Sequence, residues 1–359
     1  MTNQERIIAT GLCQQTDRVP FFFYFGPWDE AVARWRTEGM PADKQWTDLA
    51  DFDPGIATVW VNLGYHPRFE QKVLEDKGDT KIIVDERGVT QEIRSHGYTI
   101  PRYIDYPVKD RETWEQLKAE RLDPEKPGRF PANFDEMVQG YIEAGKALQL
   151  GYYPYGLFGT LRDMMGAEEL LMSFCYQPDL VHDMMDYLTD FWLAIYEKVC
   201  ARCQIDIIHI WEDMSGKTGS LISPAMVREF MAPNYRRIRD FADTHGIKVV
   251  GVDTDGDPSQ LILPFMESGI NLMMPFEVRA GSDIVKFRRQ YPDLAIMGGI
   301  DKLEIGMGKA AIDAEMERVK PMFDKPGYFP AMDHLIPPEI SYPDFMHFLE
   351  RLRVLCRVK

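Results

Sequence analysis

Lys248-Val249-Val250-Gly251-Val252-Asp253-Thr254-Asp255-Gly256-Asp257 is an apolar run that stops on three alternate carboxylates, and Pro258 then begins a helical pattern. A short apolar run of this kind suits a strand buried on both faces of a parallel sheet. Five other stretches have the same design: 205–211 before Glu212-Asp213, 271–276 before Glu277, 294–299 before Asp301-Lys302, 327–332 before Asp333-His334, and 151–157 before Gly159-Thr160-Leu161-Arg162. Helical patterns separate them, at 178–203, 224–244 with Ser223 as N-cap, 258–268 with Asp257 as N-cap, and 282–290. The alternation predicts an α/β chain built as a single (β/α)8 TIM barrel over residues 1–359. In such a barrel the residues just past each strand meet at one mouth, where catalysis takes place. The chain reads as an enzyme.

Residues 1–150 are an elaborated, less regular N-terminal part. A helix near 2–12 leads through Arg18-Val19-Pro20 to the aromatic run 21–25, expected as the first barrel strand. The runs 82–84 and 89–93 flank Asp85-Glu86-Arg87-Gly88, a turn signal for a β-hairpin near 82–93. A connector at 124–131 precedes a helical stretch at 133–148.

With 359 residues and 45% hydrophobic content the chain can bury a large core. A net charge of −16 opposes binding to phosphate backbones or anionic membranes, so neither nucleic acid nor a membrane is an expected partner. Five cysteines give no disulfide framework, and the N-terminus lacks an apolar signal core. A cytoplasmic location is expected. Cys200 and Cys203 have redox spacing but no second pair, and they read as structural thiols.

Asp253 and Asp255 read as ligands for a metal or a cationic group, against the alternative of a solvated loop. Asp257 reads as a helix cap. A calcium loop would need Glu six residues after Gly256, where Ile262 stands. Glu212 and Asp213 point to opposite faces of their strand, so one of them faces the mouth. Either could pair with Glu277 as base and acid, against the alternative of salt bridges to Lys217, Arg228 or Arg279. His334 is the histidine at a strand end beside an acid, Asp333, whereas His209 reads as core. His66, His96, His182, His245 and His347 have no converging partners. Asp253, Asp255 and His334 make an oxygen, oxygen, nitrogen set acceptable to zinc, manganese, iron or magnesium. Gly298-Gly299 lets backbone approach a ligand, or simply makes a tight turn. No nucleotide-binding glycine pattern is present, so no nucleotide cofactor is expected.

An ordered set of motifs resembles the uroporphyrinogen decarboxylase superfamily, which includes corrinoid-dependent methyltransferases. The set comprises residues 2–12, Asp17-Arg18-Val19-Pro20, residues 159–166 and the helix after Gln177-Pro178. It continues with Ile222-Ser223-Pro224, residues 249–257, Gly298-Gly299-Ile300-Asp301 and residues 334–338. The resemblance implies a barrel with its site at the C-terminal mouth. The decarboxylase branch carries an arginine-rich motif where this chain reads Phe21-Phe22-Phe23-Tyr24-Phe25-Gly26-Pro27-Trp28, and a tyrosine where Met164 stands. The methyltransferase branch binds zinc through His-x-Cys and a second Cys, at the places of Asp253, Asp255 and His334 here. By that resemblance the chain is expected to move a methyl group between a small methylated substrate and a corrinoid (cobalamin) carried by a partner protein. Zinc is the first expected metal. A decarboxylase or other lyase, or an inactive small-molecule binding protein, is the alternative. Phe23, Tyr24, Trp28 and Trp211, with Gly298 and Gly299, would line the substrate site. Asp253, Asp255 and His334 would hold the metal, and Glu212, Asp213, Glu277 and His334 would do the chemistry. A homo-oligomer is compatible with this reading.

Overall fold

The computed structural model describes residues 1–95 and 101–358; His96 lies outside them. Strand β1 (Ile56–Thr58) opens a parallel sheet, and β2 (Lys72–Asp76), β3 (Thr80–Val84), β4 (Thr90–Arg94) and β5 (Arg102–Asp105) form a separate antiparallel one. The parallel sheet resumes with β6 (Ala147–Leu150) and β7 (Ile207–Trp211). After a small hairpin, β8 (Ser215–Gly216) with β9 (Gly219–Ser220), it finishes with β10 (Val249–Thr254), β11 (Leu272–Pro275), β12 (Ala295–Met297) and β13 (Tyr328–Phe329). Its order is β1-β6-β7-β10-β11-β12-β13, seven strands curled with their C-terminal ends on one side.

Among the described residues seven paired strands stand where eight were expected. Residues 21–25 form no strand. Pro20 and Pro27 have no N–H to give a ladder, and Phe21 donates its N–H to the Asp53 carboxylate instead. The segment is tied at its far end, where Pro27 bridges Ile336. Between these ties Phe22 lies against Gly55 on one side and the Phe329 ring on the other, filling the gap between β13 and β1.

The strand expected at 151–157 is displaced. It is β6, and it ends at Gly151, whose φ of 79° turns the chain where a Cβ would stand 2.0 Å from the His209 carbonyl oxygen. The preceding helix therefore stops early, at Phe134–Glu143, and Leu157–Met165 is helical. The helix expected at 258–268 is confined to Ile262–Glu267, and the 224–244 helix is interrupted by a π turn at Val227–Met231. Ser223 caps it as expected. The hairpin at 82–93 forms as β3 and β4, tied by Asp85 Oδ1, which accepts the N–H groups of Arg87 and Val89.

Alternation along the parallel strands sorts the two cores. Ile207, Val249, Leu272, Met274, Ala295, Met297 and Phe329 pack inside the barrel with Ile7 of helix Asn3–Gly11, which plugs the bottom. Ile208, Ile210, Val250, Val252, Met273 and Ile296 pack outward against the helices. With a period of two, His209 and Trp211 must face in with Ile207, and Asp253 with Val249. No described helix is long and apolar enough to cross a membrane.

Candidate functional site at the barrel mouth

The parallel register sets Gly251 beside His209 and Asp253 beside Trp211. Inside the barrel, His209 Nε2 lies 3.3 Å from Asp253 Oδ2. Both residues are buried, and burial pushes the Asp253 carboxyl above its ordinary range while His209 pulls it back. The Tyr24 ring lies 6.0 Å from the His209 ring, and its hydroxyl is hydrogen bonded to the Gln149 side-chain amide. Burial raises the Tyr24 hydroxyl, so it stays protonated.

Above this level His334 Nε2 stands 3.6 Å from Asp255 Oδ2, and the Phe25 ring lies parallel to the imidazole at 5.8 Å. The Asp255 carboxylate raises the His334 pKa, against burial. Glu277 closes the neighbouring side: one oxygen accepts the Gly256 N–H at 3.0 Å and the other lies 3.4 Å from Lys302 Nζ. Asp333 is a brace under the rim, accepting the N–H groups of Val278 and Lys302. Asp213, at a φ of 41°, is held at 2.6 Å by Arg162, whose guanidinium lies 5.1 Å from the Trp211 ring.

Several expected site residues are elsewhere. Glu212 faces out of the barrel wall with no exposure, accepting N–H groups from Leu157, Phe158 and Gly159 and the Tyr235 hydroxyl. It anchors the N-terminus of helix Leu157–Met165, and has no path to a ligand at the mouth. Phe23 points away, into an aromatic cluster with Trp46, Phe52, Phe345 and Phe348. The N–H groups of Gly298 and Gly299 are spent on Phe329 and Pro275. A Cβ on Gly298 would stand 2.0 Å from the Pro275 oxygen, so the pair makes the tight turn. Trp28 is exposed at the rim, and Trp211 forms the wall beside Gly159.

The expected metal set does not assemble. Asp253 pairs with His209 and Asp255 with His334, and no three described His, Cys, Asp or Glu side chains converge to hold an ion. As placed, these residues form two acid–histidine pairs rather than one three-ligand set. Gln149 and Phe25 were given no site role from the sequence, and His209, read as core, is buried but lies beside Asp253. Strand parity with Trp211 would have found His209.

A comparison with curated protein sequences found no match. Among solved structures, a methyltransferase from Methanosarcina mazei matches with a TM-score of 0.60 at 14% identity, covering 98% of each chain. A B12-independent methionine synthase from Shewanella sp. W3-18-1 matches with a TM-score of 0.38 at 12% identity, covering 64% of this chain and 67% of that one. Residues 79–354 match the uroporphyrinogen decarboxylase (URO-D) family, and the chain belongs to that family.

Proposed function

We propose that this chain is a methyltransferase that takes a methyl group from oxygen on a small substrate bound at the mouth and delivers it to a corrinoid on a partner protein. The observation that carries the reading is the His334–Asp255 pair, a proton donor at the rim of a mouth whose cations are already engaged. Breaking a C–O bond by methyl transfer leaves the electron pair on oxygen, and a proton must reach that oxygen as the bond breaks. Asp255 favours the imidazolium form of His334, and His334 Nδ1 has no hydrogen-bond partner among the described residues. In this reading Nδ1–H gives its proton to the leaving oxygen while Asp255 steadies the ring from the other side. Tyr24 and the His209–Asp253 pair form the polar floor, and Phe25 and Trp211 keep water from the reacting bond. A corrinoid would supply the nucleophile that accepts the methyl group. The rim suits a partner carrying a flat macrocycle, because Trp60, Tyr153, Leu303 and Met307 follow C-terminal strand ends, Trp28 follows the strandless segment 21–25, and all five are exposed.

Among the described residues no arginine is free at the mouth for a tetrapyrrole polycarboxylate, and none of the five cysteines stands at a strand end of the parallel sheet. The test is methyl transfer from simple methyl ethers to a reduced corrinoid protein, followed by the corrinoid absorption change. His334→Gln should lower the rate by about 10²–10⁴-fold, the usual worth of a positioned acid. An unchanged rate would exclude His334 as the donor, and no transfer by the wild type would exclude the reaction.

A further inference from the structure

Beside the mouth is a cavity of about 400 Å³, within the range of roughly 300–1,000 Å³ typical of small-molecule sites. It lies between the loops after β1 and β6, the β3–β4 turn and helix Leu157–Met165. Tyr65, Tyr153, Tyr155 and Met164 supply much of its wall. Tyr153 also touches the Trp211 ring, so the cavity adjoins the mouth without being part of it.

The charges on the wall largely cancel. Arg87 spends its guanidinium on Asp85 and Asp163, and Arg68 pairs with Glu86. Asp163 and Tyr65 are among the polar groups left over. Asp163 gives one oxygen to Arg87, at 2.8 Å, and its other oxygen has no hydrogen-bond partner among the described residues. The Tyr65 hydroxyl has none either, and neither atom is among the buried atoms sealed without a partner.

We propose that this cavity binds a single aromatic ring bearing a hydrogen-bond donor, a phenol or an aromatic amine, with the ring among the tyrosines and the donor on Asp163. Aromatic walls favour a flat ring through edge and offset contacts beyond the area buried. The spare carboxylate oxygen accepts a donor and repels an anion. A phosphate or polycarboxylate would find no uncommitted cation. The proposal goes beyond the methyl-transfer reading and stands without it, because binding is measured with no methyl acceptor present.

The experiment is titration of the full chain with phenol, followed by ligand-observed NMR, with cyclohexanol and benzoate as comparators. Phenol should saturate one site and bind at least tenfold tighter than either comparator. Tyr65→Phe should weaken it about threefold to tenfold and Asp163→Asn about tenfold or more, the worth of one neutral and one charge-assisted hydrogen bond. Should Asp163→Asn lose the Arg87 pair and fail to fold, Tyr65→Phe and the exposed-wall change Tyr153→Ala carry the test. Equal binding of cyclohexanol, tighter binding of benzoate, no saturation, or phenol binding indifferent to Tyr65→Phe and Tyr153→Ala would overturn it.

Discussion

Replacing Glu212 with glutamine removes one oxygen and leaves the shape. In the native chain Oε1 serves Leu157 N–H at 3.0 Å and the Tyr235 hydroxyl at 2.7 Å, while Oε2 serves Phe158 N–H at 2.6 Å and Gly159 N–H at 3.3 Å. The glutamine amide must turn its NH2 toward one of these pairs. The less costly choice faces Leu157 and Tyr235, because a hydroxyl can rotate to accept and a backbone N–H cannot. Leu157 N–H is then stranded in a site with no exposure, at about 1–3 kcal/mol, and the remaining bonds lose their charge assistance. The expected cost is about 2–4 kcal/mol. Unfolding a chain of 359 residues releases roughly 0.75 kcal/mol/K of entropy, so Tm should fall by about 3–5 °C. The assay is thermal unfolding followed by circular dichroism, with turnover of the folded fraction measured well below the transition. Because Glu212 sits outside the barrel wall, that turnover should be unchanged. A variant that melts within about 1 °C of the parent yet loses activity would refute the assignment of Glu212 as an anchor. Burial pushes the Glu212 carboxyl up to about 7, so the folded state binds its proton more tightly than the unfolded chain does. From that group, stability should fall as pH rises from about 4.5 to 7, and the glutamine variant should lack this slope.

Asp255→Asn should move the alkaline fall of the rate to lower pH, since the carboxylate is what raises His334; a pH–rate profile checks this, and an unmoved limb would count against the pair. Uroporphyrinogen should give no coproporphyrinogen in an anaerobic assay, because Arg162 and Lys302 at the mouth are already held by Asp213 and Glu277. Chelator treatment of the purified chain, with metal analysis before and after, should leave its activity intact, given that the acid and histidine donors pair off in twos. Loss of activity on chelation, restored by one divalent ion, would show that the donors regroup around a metal.

The parallel sheet was legible because strands buried on both faces leave long apolar runs, and β7, β10 and β11 fall within a residue or two of where those runs place them. Prolines and side-chain hydrogen bonds hid the rest. The aromatic run at 21–25 has the composition of a strand, but its neighbours deny it a ladder. Tyr152, Tyr153 and Tyr155 likewise read as strand residues, yet the turn at Gly151 makes them loop, with Tyr153 and Tyr155 on the cavity wall. Strand ends alone were enough to place Asp253, Asp255 and His334 at one mouth. Glu212 was misassigned because its face depends on one residue of parity, and that same parity would have brought His209 inward.

The segment Phe21–Pro27 is tied by backbone bonds only near its ends: Phe21 oxygen to Asp53, and Gly26 oxygen and Trp28 N–H to Ile336. Phe22 to Phe25 make no backbone ladder bonds to the described residues, so side-chain packing and the Tyr24–Gln149 hydrogen bond set the height of Tyr24 and Phe25 over the barrel. The strands of the parallel sheet are locked in register, where a shift of one residue would turn the sheet inside out. A change of side chain in the wall at 22–25 breaks no rung of the sheet. Selection can therefore retune the shape of the mouth by swapping the aromatics at Tyr24 and Phe25, leaving the sheet that carries the acids and histidines untouched.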